Sequence, residues 1–336
     1  MNIVYTVNNK FVPQVAASIC SICENNKEID NLDFFIISKE ITNENKKRLK
    51  VFFERYKNTK INIIEIGDIK DYIDFEFDTS GWNSIVLARL FLDKLLPDNI
   101  EKILYLDGDT IIRGDLRELE IKNLNKNIIA ASIEPTVDKV RKEKLGLKEY
   151  PYYNAGVLLV NLKSWKEEKI GQKILEYYKA NNGKLFANDQ DAINVVLKNR
   201  ICTLSPKYNF YNIFYQYGYN FLNNLMKPVN YIDKNIFEEA LKNPIIIHYL
   251  GEERPWRKGN HHMYKKDYYN YLNLTPWKNQ KLETGWSLYF ICWYVFNFFT
   301  KPFPSVRYNI INKLIPTFMN IRAKKIKKEG KEKNGK

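Results

Sequence analysis

Short apolar segments alternate with longer amphipathic ones between residues 1 and 200 of the chain. The apolar segments have the length of buried strands and are rich in β-branched and aromatic residues. They lie at 2–7, 32–38, 61–66, 102–107, 128–133 and 153–161. Between them, apolar residues recur every three or four positions, which predicts helices over 12–25, 42–56 and 83–96. Strand–helix–strand order with these lengths predicts an α/β fold, in which helices cover both faces of a mostly parallel sheet.

Capping residues predict two further helices in the second half of the chain. Ser164 is a favourable N-cap and is predicted to start a helix that runs to about Asn181. Asn188 or Asp189 is predicted to cap another helix. The stretch 201–234 is aromatic and has no clear period, so we expect it to be irregular.

The composition changes near the C-terminus. Eight of the fourteen residues in 286–299 are aromatic and none is charged, whereas 301–336 holds eleven Lys or Arg against two Glu. The uncharged run 284–300 is slightly shorter than the roughly 20 residues of a membrane-spanning helix. Trp and Tyr prefer the membrane interface, and basic residues attract anionic headgroups. We therefore expect a main domain over 1–265 and a C-terminal extension over 266–336 that attaches to a membrane surface. A last helix packed against the body and a disordered, solubilising tail are the alternatives.

Charge is distributed unevenly along the chain. The net charge is +14, from 53 basic and 39 acidic residues, and most of this excess lies in 301–336. The aromatic residues near the C-terminus cluster apart from most of the Lys residues rather than interleaving with them, and no nucleic-acid-binding motif is present. A nucleic-acid partner is therefore not expected.

The cysteines do not form a disulfide framework in a chain of this length. They are Cys20, Cys23, Cys202 and Cys292. The first two form a C-x-x-C pair inside the predicted helix 12–25, and no second pair completes a zinc site. A reduced, buried helix face is expected, as in a cytosolic protein. Met1 leads directly into the first predicted strand, so no secretory signal is expected.

Two acidic residues bracket a glycine at the end of the fourth predicted strand. Asp107 and Asp109 lie beyond its carboxyl end, where open α/β sheets bind ligands. Close carboxylates repel unless a cation or a proton lies between them, and hard divalent ions prefer oxygen ligands. The stretch therefore predicts a metal and diphosphate site, with a solvated surface turn as the alternative. An EF-hand loop counted from Asp107 is excluded, because Ile111 and Ile112 occupy the positions of a required ligand and of the turn glycine.

Three further motifs follow the paired aspartates in order. They are the strand 154–161 opened by Asn-Ala-Gly, the Asp-Gln-Asp run 189–191 at a helix start, and the His-Tyr-Leu-Gly run 248–251, which leaves a last core strand predicted over 244–249. Over roughly residues 1–260, this set resembles glycosyltransferase family 8, the retaining transferases that use sugar nucleotides. The bacterial lipopolysaccharide galactosyltransferases and glucosyltransferases are most similar, and glycogenin is more distant. The resemblance implies a Rossmann-like sheet of the GT-A type.

The resemblance also implies a site for a metal and a UDP-hexose. Asp107, Asp109 and His248 match the metal ligands of the family, for Mn²⁺ with Mg²⁺ as an alternative. Gly251 and Arg254 match its diphosphate clamp. Family members usually have Lys where this chain has Arg254, which keeps the charge but changes the geometry of the contact.

Other residues match positions around the donor in the family. They are Thr6, Asn8 and Phe11 at the end of the first strand, with Arg89, Gly108 and Ala155. Many relatives have Asp in place of Asn8 and Tyr in place of Phe11, so a carboxylate is lost while an aromatic face for the uracil is kept. Residues 67–82 form a long irregular segment that we expect to fold over the donor as a lid.

The implied reaction moves galactose or glucose from UDP to a glycan acceptor, such as a lipopolysaccharide or lipooligosaccharide, with retention at the anomeric carbon. Retaining glycosidases use a carboxylate nucleophile, whereas the matching residue here is Gln190, an amide. We therefore favour attack from the leaving-group face, with Gln190 stabilising an oxocarbenium-like state, and a covalent intermediate is the alternative. Asp189 and Asn154 are expected to hold sugar hydroxyls, and Glu134 to lie beside the sugar.

Two other enzyme classes could use the same metal pair: a nucleotidyltransferase and a sugar-nucleotide hydrolase. The other two histidines, His261 and His262, are expected at the surface. We expect a cytoplasmic enzyme that is peripheral on the inner face of the cell membrane, and its oligomeric state is left open.

Overall fold

A seven-stranded, mostly parallel sheet forms the centre of the protein. The computed structural model describes residues 1–79 and 83–317. In chain order the strands are β1 Asn2–Asn8, β2 Leu32–Lys39, β3 Thr59–Glu65, β4 Lys102–Leu106, β5 Thr110–Ile112, β6 Ile129–Ile133, β7 Tyr153–Asn161, β8 Ile201–Leu204 and β9 Ile246–His248. The sheet order is β3-β2-β1-β4-β7-β6-β8, and only β7 among these runs antiparallel to its neighbours. The predicted α/β fold is confirmed.

The six strands expected from the apolar segments all form, within one or two residues of their predicted ends. The central strands β6 and β7 are buried along nearly their whole length, as the continuous apolar runs require.

Helices connect the strands. They are α1 Val12–Asn25, α2 Asn43–Phe53, α3 Leu92–Leu95, α4 Arg117–Ile121, α5 Lys139–Lys144, α6 Leu162–Glu167, α7 Ile170–Ala180, α8 Asp189–Val196, α9 Ile213–Met226, α10 Lys234–Lys242, α11 Lys265–Leu272 and α12 Ser287–Thr300, with 3₁₀ turns at Asn9–Phe11, Ile69–Tyr72, Ser84–Phe91 and Pro206–Tyr208. In α1, Pro13 occupies the first turn, where backbone N–H groups have no acceptor within the helix. The N–H that proline lacks therefore costs the helix no hydrogen bond. Cys20 and Cys23 are buried and unpaired on this helix, and burial raises the pKa of the Cys23 thiol to about 12.

The prediction of one α-helix over 83–96 is wrong. The segment is a 3₁₀ helix at Ser84–Phe91, started by the side chain of Asn83 and followed by the short α3. Apolar residues at nearly every position suit either helix type, so the pattern does not distinguish three residues per turn from 3.6.

The prediction of a single helix from Ser164 to Asn181 is also wrong. Lys169 adopts a left-handed conformation, with φ of 52°, and separates α6 from α7. The cap of α6 is Asn161, whose side chain accepts a hydrogen bond from the Ser164 N–H at 3.0 Å. The helix predicted at Asn188 or Asp189 forms, as α8.

The stretch 201–234 is not irregular, contrary to the prediction. It contains β8 and α9, in which Gly218 interrupts the helical backbone with φ of 70°. A strand of four residues is too short to show a period of two, and the interruption at Gly218 obscures the helical period.

The last predicted strand does not join the main sheet. Within 244–249, β9 pairs antiparallel with β5 in a separate two-stranded sheet, with Thr110 opposite His248. β5 was not predicted, because three residues after a turn carry too little pattern.

The C-terminal segment, residues 286–317, packs on the body through part of its surface. Phe290 on α12 is buried, and its ring lies close to Gly259. The guanidinium of Arg257 lies 3.6 Å from the ring centroid of Trp286.

Another side of the segment is apolar and exposed, and it continues from α12 into the helical residues 304–317. The exposed side chains are Leu288, Ile291, Val295, Phe298, Phe299, Phe303, Val306, Ile310 and Leu314. Within 1–79 and 83–317, no helix combines the length and apolar character needed to span a bilayer. Most of the Lys-rich tail, 318–336, lies outside the described residues.

Candidate active site

Asp107 and Asp109 lie on the tight turn between β4 and β5. The Asp107 N–H donates to the carbonyl of Gly156 at 2.7 Å, which ties the turn to β7. Gly108, between the two acids, approaches α1 so closely that a Cβ would lie 2.9 Å from Cγ2 of Val15. The turn therefore holds the two carboxylates in a fixed position beyond the carboxyl end of β4.

The pairing of β5 with β9 brings His248 to these carboxylates. Its Nε2 atom lies 3.3 Å from Asp109 Oδ1 and 3.9 Å from Asp107 Oδ2. One ligand atom from each of the three residues lies within 4.8 Å of the others. Two carboxylates and an imidazole form a donor set that fits a divalent cation such as Mn²⁺ or Mg²⁺.

Burial and neighbouring charges together set the protonation of this cluster. Burial opposes ionisation of Asp109, but His248 and Arg254 outweigh it and lower the pKa of Asp109 to about 2. Burial, aided by repulsion from Asp109, raises the pKa of Asp107 despite the nearby Arg89. Burial opposes the charged form of His248, yet the two aspartates raise its pKa. The negative charge that favours a proton on His248 would also favour a metal cation at this site.

Gly156 provides the space that His248 occupies. A Cβ at this position would lie 2.3 Å from Cε1 of His248 and 3.0 Å from Oδ2 of Asp107. Sequence reasoning did not single out Gly156, although it stands in the Asn-Ala-Gly opening of the strand 154–161.

Arg254 extends from the loop after β9 towards the second aspartate. Its Nη2 atom lies 3.0 Å from Asp109 Oδ2, and its buried Nε–H has no acceptor among the described residues. Gly251, with φ of 81°, adopts a conformation that favours glycine and forms the turn after His248. A guanidinium with an unused donor beside the carboxylates is suited to bind phosphate oxygens.

Arg89 is buried and connects three parts of the site. Its Nε lies 2.8 Å from Asp189 Oδ2, and its Nη2 lies 3.4 Å from Asp107 Oδ1. Its Nη1 donates to the carbonyl of Ala155 at 2.6 Å. The guanidinium also lies over the ring of Tyr105, 4.6 Å from its centroid.

Gln190 lies against the opening of β7. Its Oε1 accepts the Ala155 N–H at 2.9 Å, and its Nε2 donates to the Tyr152 hydroxyl at 3.3 Å, which fixes the orientation of the amide. Beside it, burial raises the pKa of Asp189 to about 6, against the opposing effect of Arg89.

Asn154 belongs to a buried hydrogen-bonded group. Its Oδ1 accepts from the Gly156 N–H at 2.8 Å and from Asn209 Nδ2 at 2.9 Å. Its Nδ2 donates to Glu134 Oε2 at 3.3 Å. The same Glu134 oxygen accepts from the Tyr211 hydroxyl at 2.8 Å. Sequence reasoning missed Asn209, because it lies in the stretch that was predicted to be irregular.

The residues predicted to bind the nucleoside lie at the end of β1, next to β4. The Thr6 hydroxyl lies 2.8 Å from the Tyr105 hydroxyl, which donates to Asp107 Oδ1 at 3.1 Å. Asn8 uses its Oδ1 to accept from the N–H of Phe11 at 3.2 Å. The Phe11 ring is partly exposed, and the guanidinium of Arg254 lies 5.6 Å from its centroid.

The predicted lid, 67–82, approaches the start of α8. The carbonyl of Thr79 accepts from Nδ2 of Asn188 at 3.1 Å. Residues 80–82 lie outside the described residues.

The expectation for the two remaining histidines holds for His261, which is exposed, and is wrong for His262. His262 is 5% exposed, and its Nδ1 accepts from the Tyr264 N–H at 3.1 Å. Burial lowers its pKa to about 3. The two histidines are neighbours in a loop, and nothing in the sequence around them distinguishes the buried one from the exposed one.

Known proteins are similar to this chain in sequence and in fold. The family model of glycosyl transferase family 8 matches residues 2–259. The chain belongs to this family. It is a glycosyltransferase, which confirms the enzyme class expected from the sequence.

Individual relatives of the family are similar over most of the chain. A lipopolysaccharide 1,2-glucosyltransferase of Escherichia coli K12 is 29% identical over 83% of this chain and 79% of its own length. A lipopolysaccharide 1,3-galactosyltransferase of Salmonella typhimurium is 23% identical over 83% of this chain and 79% of its own length. The crystal structure of galactosyltransferase LgtC with donor and acceptor sugar analogues superposes with a TM-score of 0.69 and 22% identity, covering 85% of this chain and 99% of that one. This likeness shows the fold.

Proposed function

We propose that this enzyme transfers galactose or glucose from a UDP-hexose to a hydroxyl of a cell-surface glycan, such as a lipopolysaccharide or lipooligosaccharide, with retention at the anomeric carbon. The observation that carries the proposal is the convergence of Asp107, Asp109 and His248 beside Arg254. The glycan acceptor is inferred from the names of the similar lipopolysaccharide glycosyltransferases.

The cation proposed for this site is Mn²⁺, with Mg²⁺ as the alternative. When bound, it would neutralise charge on the diphosphate of the donor. Arg254 would donate to phosphate oxygens, and Gly251 would allow the loop backbone to approach them. At the end of β1, Thr6, Asn8 and Phe11 would contact the nucleoside.

In the proposed reaction, the bond between the anomeric carbon and the departing phosphate oxygen breaks. A new bond forms from the acceptor oxygen on the same face, and the acceptor proton passes to the phosphate oxygen. Gln190, with its amide held by Ala155 and Tyr152, would stabilise the positive charge that develops on the sugar. Asp189 and Asn154 would hold sugar hydroxyls.

A transfer assay tests the proposal. The native enzyme is incubated with UDP-glucose or UDP-galactose and Mn²⁺, with and without lipopolysaccharide-type acceptors, and the product linkage is read by NMR. We expect acceptor-dependent transfer with the anomeric configuration of the donor. Gln190→Ala should lower turnover at least about tenfold while leaving UDP affinity nearly unchanged, because the amide acts on the transition state.

Gln172→Ala, on the exposed surface of α7, is the matched control and should behave as native. Rapid release of hexose or UMP that does not depend on an acceptor would instead favour a hydrolase or nucleotidyltransferase. An equal loss of turnover and UDP affinity in Gln190→Ala would reject the role assigned to this residue.

We also propose that the enzyme is peripheral on the cytoplasmic face of the membrane. The support is the exposed apolar side of α12 and residues 304–317, which the Lys-rich end of the chain follows in the sequence. An apolar helical face with adjacent basic residues is typical of interfacial binding to anionic lipid.

A further inference from the structure

Buried hydrogen bonds connect His248 to the residues predicted to hold the sugar. The Nδ1 atom of His248 lies 2.9 Å from Oδ1 of Asn209. Nδ2 of Asn209 then donates to Oδ1 of Asn154 at 2.9 Å, and Nδ2 of Asn154 donates to Glu134 at 3.3 Å. Asn209 is completely buried and directly connects the imidazole to Asn154.

The direction of each bond follows from one backbone group. The N–H of Gly156 donates to Asn154 at 2.8 Å, and since an N–H only donates, the contacting atom of Asn154 is its carbonyl oxygen. That oxygen therefore faces the amide nitrogen of Asn209, which turns the Asn209 carbonyl towards His248. A carbonyl oxygen only accepts, so Nδ1 of His248 carries a proton.

We infer that Asn209 is a positioning residue, which holds His248 in the tautomer with its proton on Nδ1 and its lone pair on Nε2. This inference rests on the proposed role of His248 as a cation ligand. Nε2 is the atom that lies 3.3 Å from Asp109 Oδ1 and 3.9 Å from Asp107 Oδ2, so its lone pair is directed into the cluster.

The alternative tautomer would close the cluster to a cation. With its proton on Nε2, the imidazole would donate to Asp109, and its lone pair would lie on Nδ1, away from both carboxylates. The Asn209 carbonyl disfavours that state, because two acceptors would then face each other in a buried site. A second hydrogen bond of this kind commonly fixes the tautomer of metal-binding histidines.

The tautomer can be read directly by ¹⁵N NMR of the imidazole nitrogens, because the chain has only three histidines. His261→Asn and His262→Asn variants assign their own signals, and the remaining ring is His248. At about pH 9, well above the ordinary histidine pKa of about 6.5, we expect His248 to carry its proton on Nδ1. A proton on Nε2 with none on Nδ1 in the native protein would overturn the inference, whether or not any variant folds.

Metal affinity gives a second readout. Calorimetry with Mn²⁺ in the presence of UDP should show about 10–100-fold weaker binding for Asn209→Leu, the range measured when such supporting groups are removed. Asn209→Asp retains an acceptor for the Nδ1–H and should keep the tautomer and most of the affinity. Asn209→Leu binding as tightly as native would contradict the inference.

Asn26→Leu is the matched control for loss of a buried amide. Asn26 is 3% exposed, accepts from the Leu116 N–H at 2.7 Å and donates to the Ile22 carbonyl at 3.0 Å. It should lose stability without losing Mn²⁺ affinity. Failure of the native protein to bind Mn²⁺ with UDP would count against the proposed function, whereas the tautomer measurement would still decide the role of Asn209.

Discussion

At the scale of single residues, the site depends on small differences in space and in hydrogen bonding. Gly156 leaves room for the imidazole of His248, and Gly108 lets the acidic turn approach α1. The paired aspartates could be predicted, because two carboxylates after an apolar strand are visible in the sequence. The supporting residues Gly156 and Asn209 could not, because their roles depend on contacts between distant segments.

Gly156→Ala should weaken Mn²⁺ binding in the presence of UDP by at least about tenfold, because its Cβ would displace the imidazole of a cation ligand. Calorimetry measures the effect. Gly114→Ala is the control, since a Cβ there would make an ordinary 3.4 Å contact with Ile245. Equal affinity in the native and Gly156→Ala proteins would show that His248 does not contribute.

His262 should make stability depend on pH. Its pKa is about 3 in the folded protein and about 6.5 when unfolded, so the unfolded state binds an extra proton between these values. Stability should therefore fall as the pH drops below about 6.5, by up to about 1.4 kcal/mol per pH unit. Urea unfolding at about pH 7 and pH 5 should show a smaller fall for His262→Asn than for the native protein.

The exposed neighbour provides the control for this measurement. His261→Asn should keep the native pH dependence, because His261 is in contact with solvent. If the free energy of unfolding fell equally between pH 7 and pH 5 in the native, His261→Asn and His262→Asn proteins, His262 would bind its proton equally in the folded and unfolded states.

At the scale of secondary structure, the site is assembled where elements end. β4, β7 and α8 contribute residues next to their ends, and the short β5–β9 ladder brings in His248. The long strands were predicted correctly because their apolar runs span five or more residues. β5 and β8 are too short to carry a period, and the break at Lys169 depends on a left-handed conformation that lysine only occasionally adopts.

Arg89 connects the 3₁₀ helix Ser84–Phe91 to β4 and α8. Arg89→Met should lower the free energy of unfolding by about 3–5 kcal/mol, because Asp189 would be left buried without its cation. Chemical denaturation measures this. Adding Asp189→Asn should recover much of the loss.

Arg113→Met is the control for removing an ion pair. Arg113 pairs with Asp267 at 2.7 Å in a partly exposed position, so its loss should cost at most about 1 kcal/mol. A similar cost for both arginines would mean that the Arg89 contacts contribute no more than a surface pair.

At the scale of the whole molecule, the apolar side of the C-terminal segment extends the protein beyond the sheet and its site. Its aromatic and basic composition was evident in the sequence. Which side chains face outward was not, because that depends on how α12 packs near Gly259.

The native protein should bind vesicles that contain anionic phosphatidylglycerol, and binding should weaken with salt. Leu288→Asp combined with Phe298→Asp should reduce binding at least tenfold in a sedimentation assay, because each apolar side chain contributes about 1.5–3 kcal/mol when buried. Ile121→Asp, at an 80% exposed site on α4, should bind as native. Equal binding by all three proteins would place the lipid contact elsewhere.

The central claim is that Asp107, Asp109 and His248 together hold a divalent cation beside the donor diphosphate. Crystals grown with Mn²⁺ and UDP, with diffraction data collected at the manganese absorption edge, test it directly. The predicted result is one strong anomalous peak between the three side chains, with UDP phosphate density next to it. A map with bound UDP and no anomalous peak at this cluster would contradict the account.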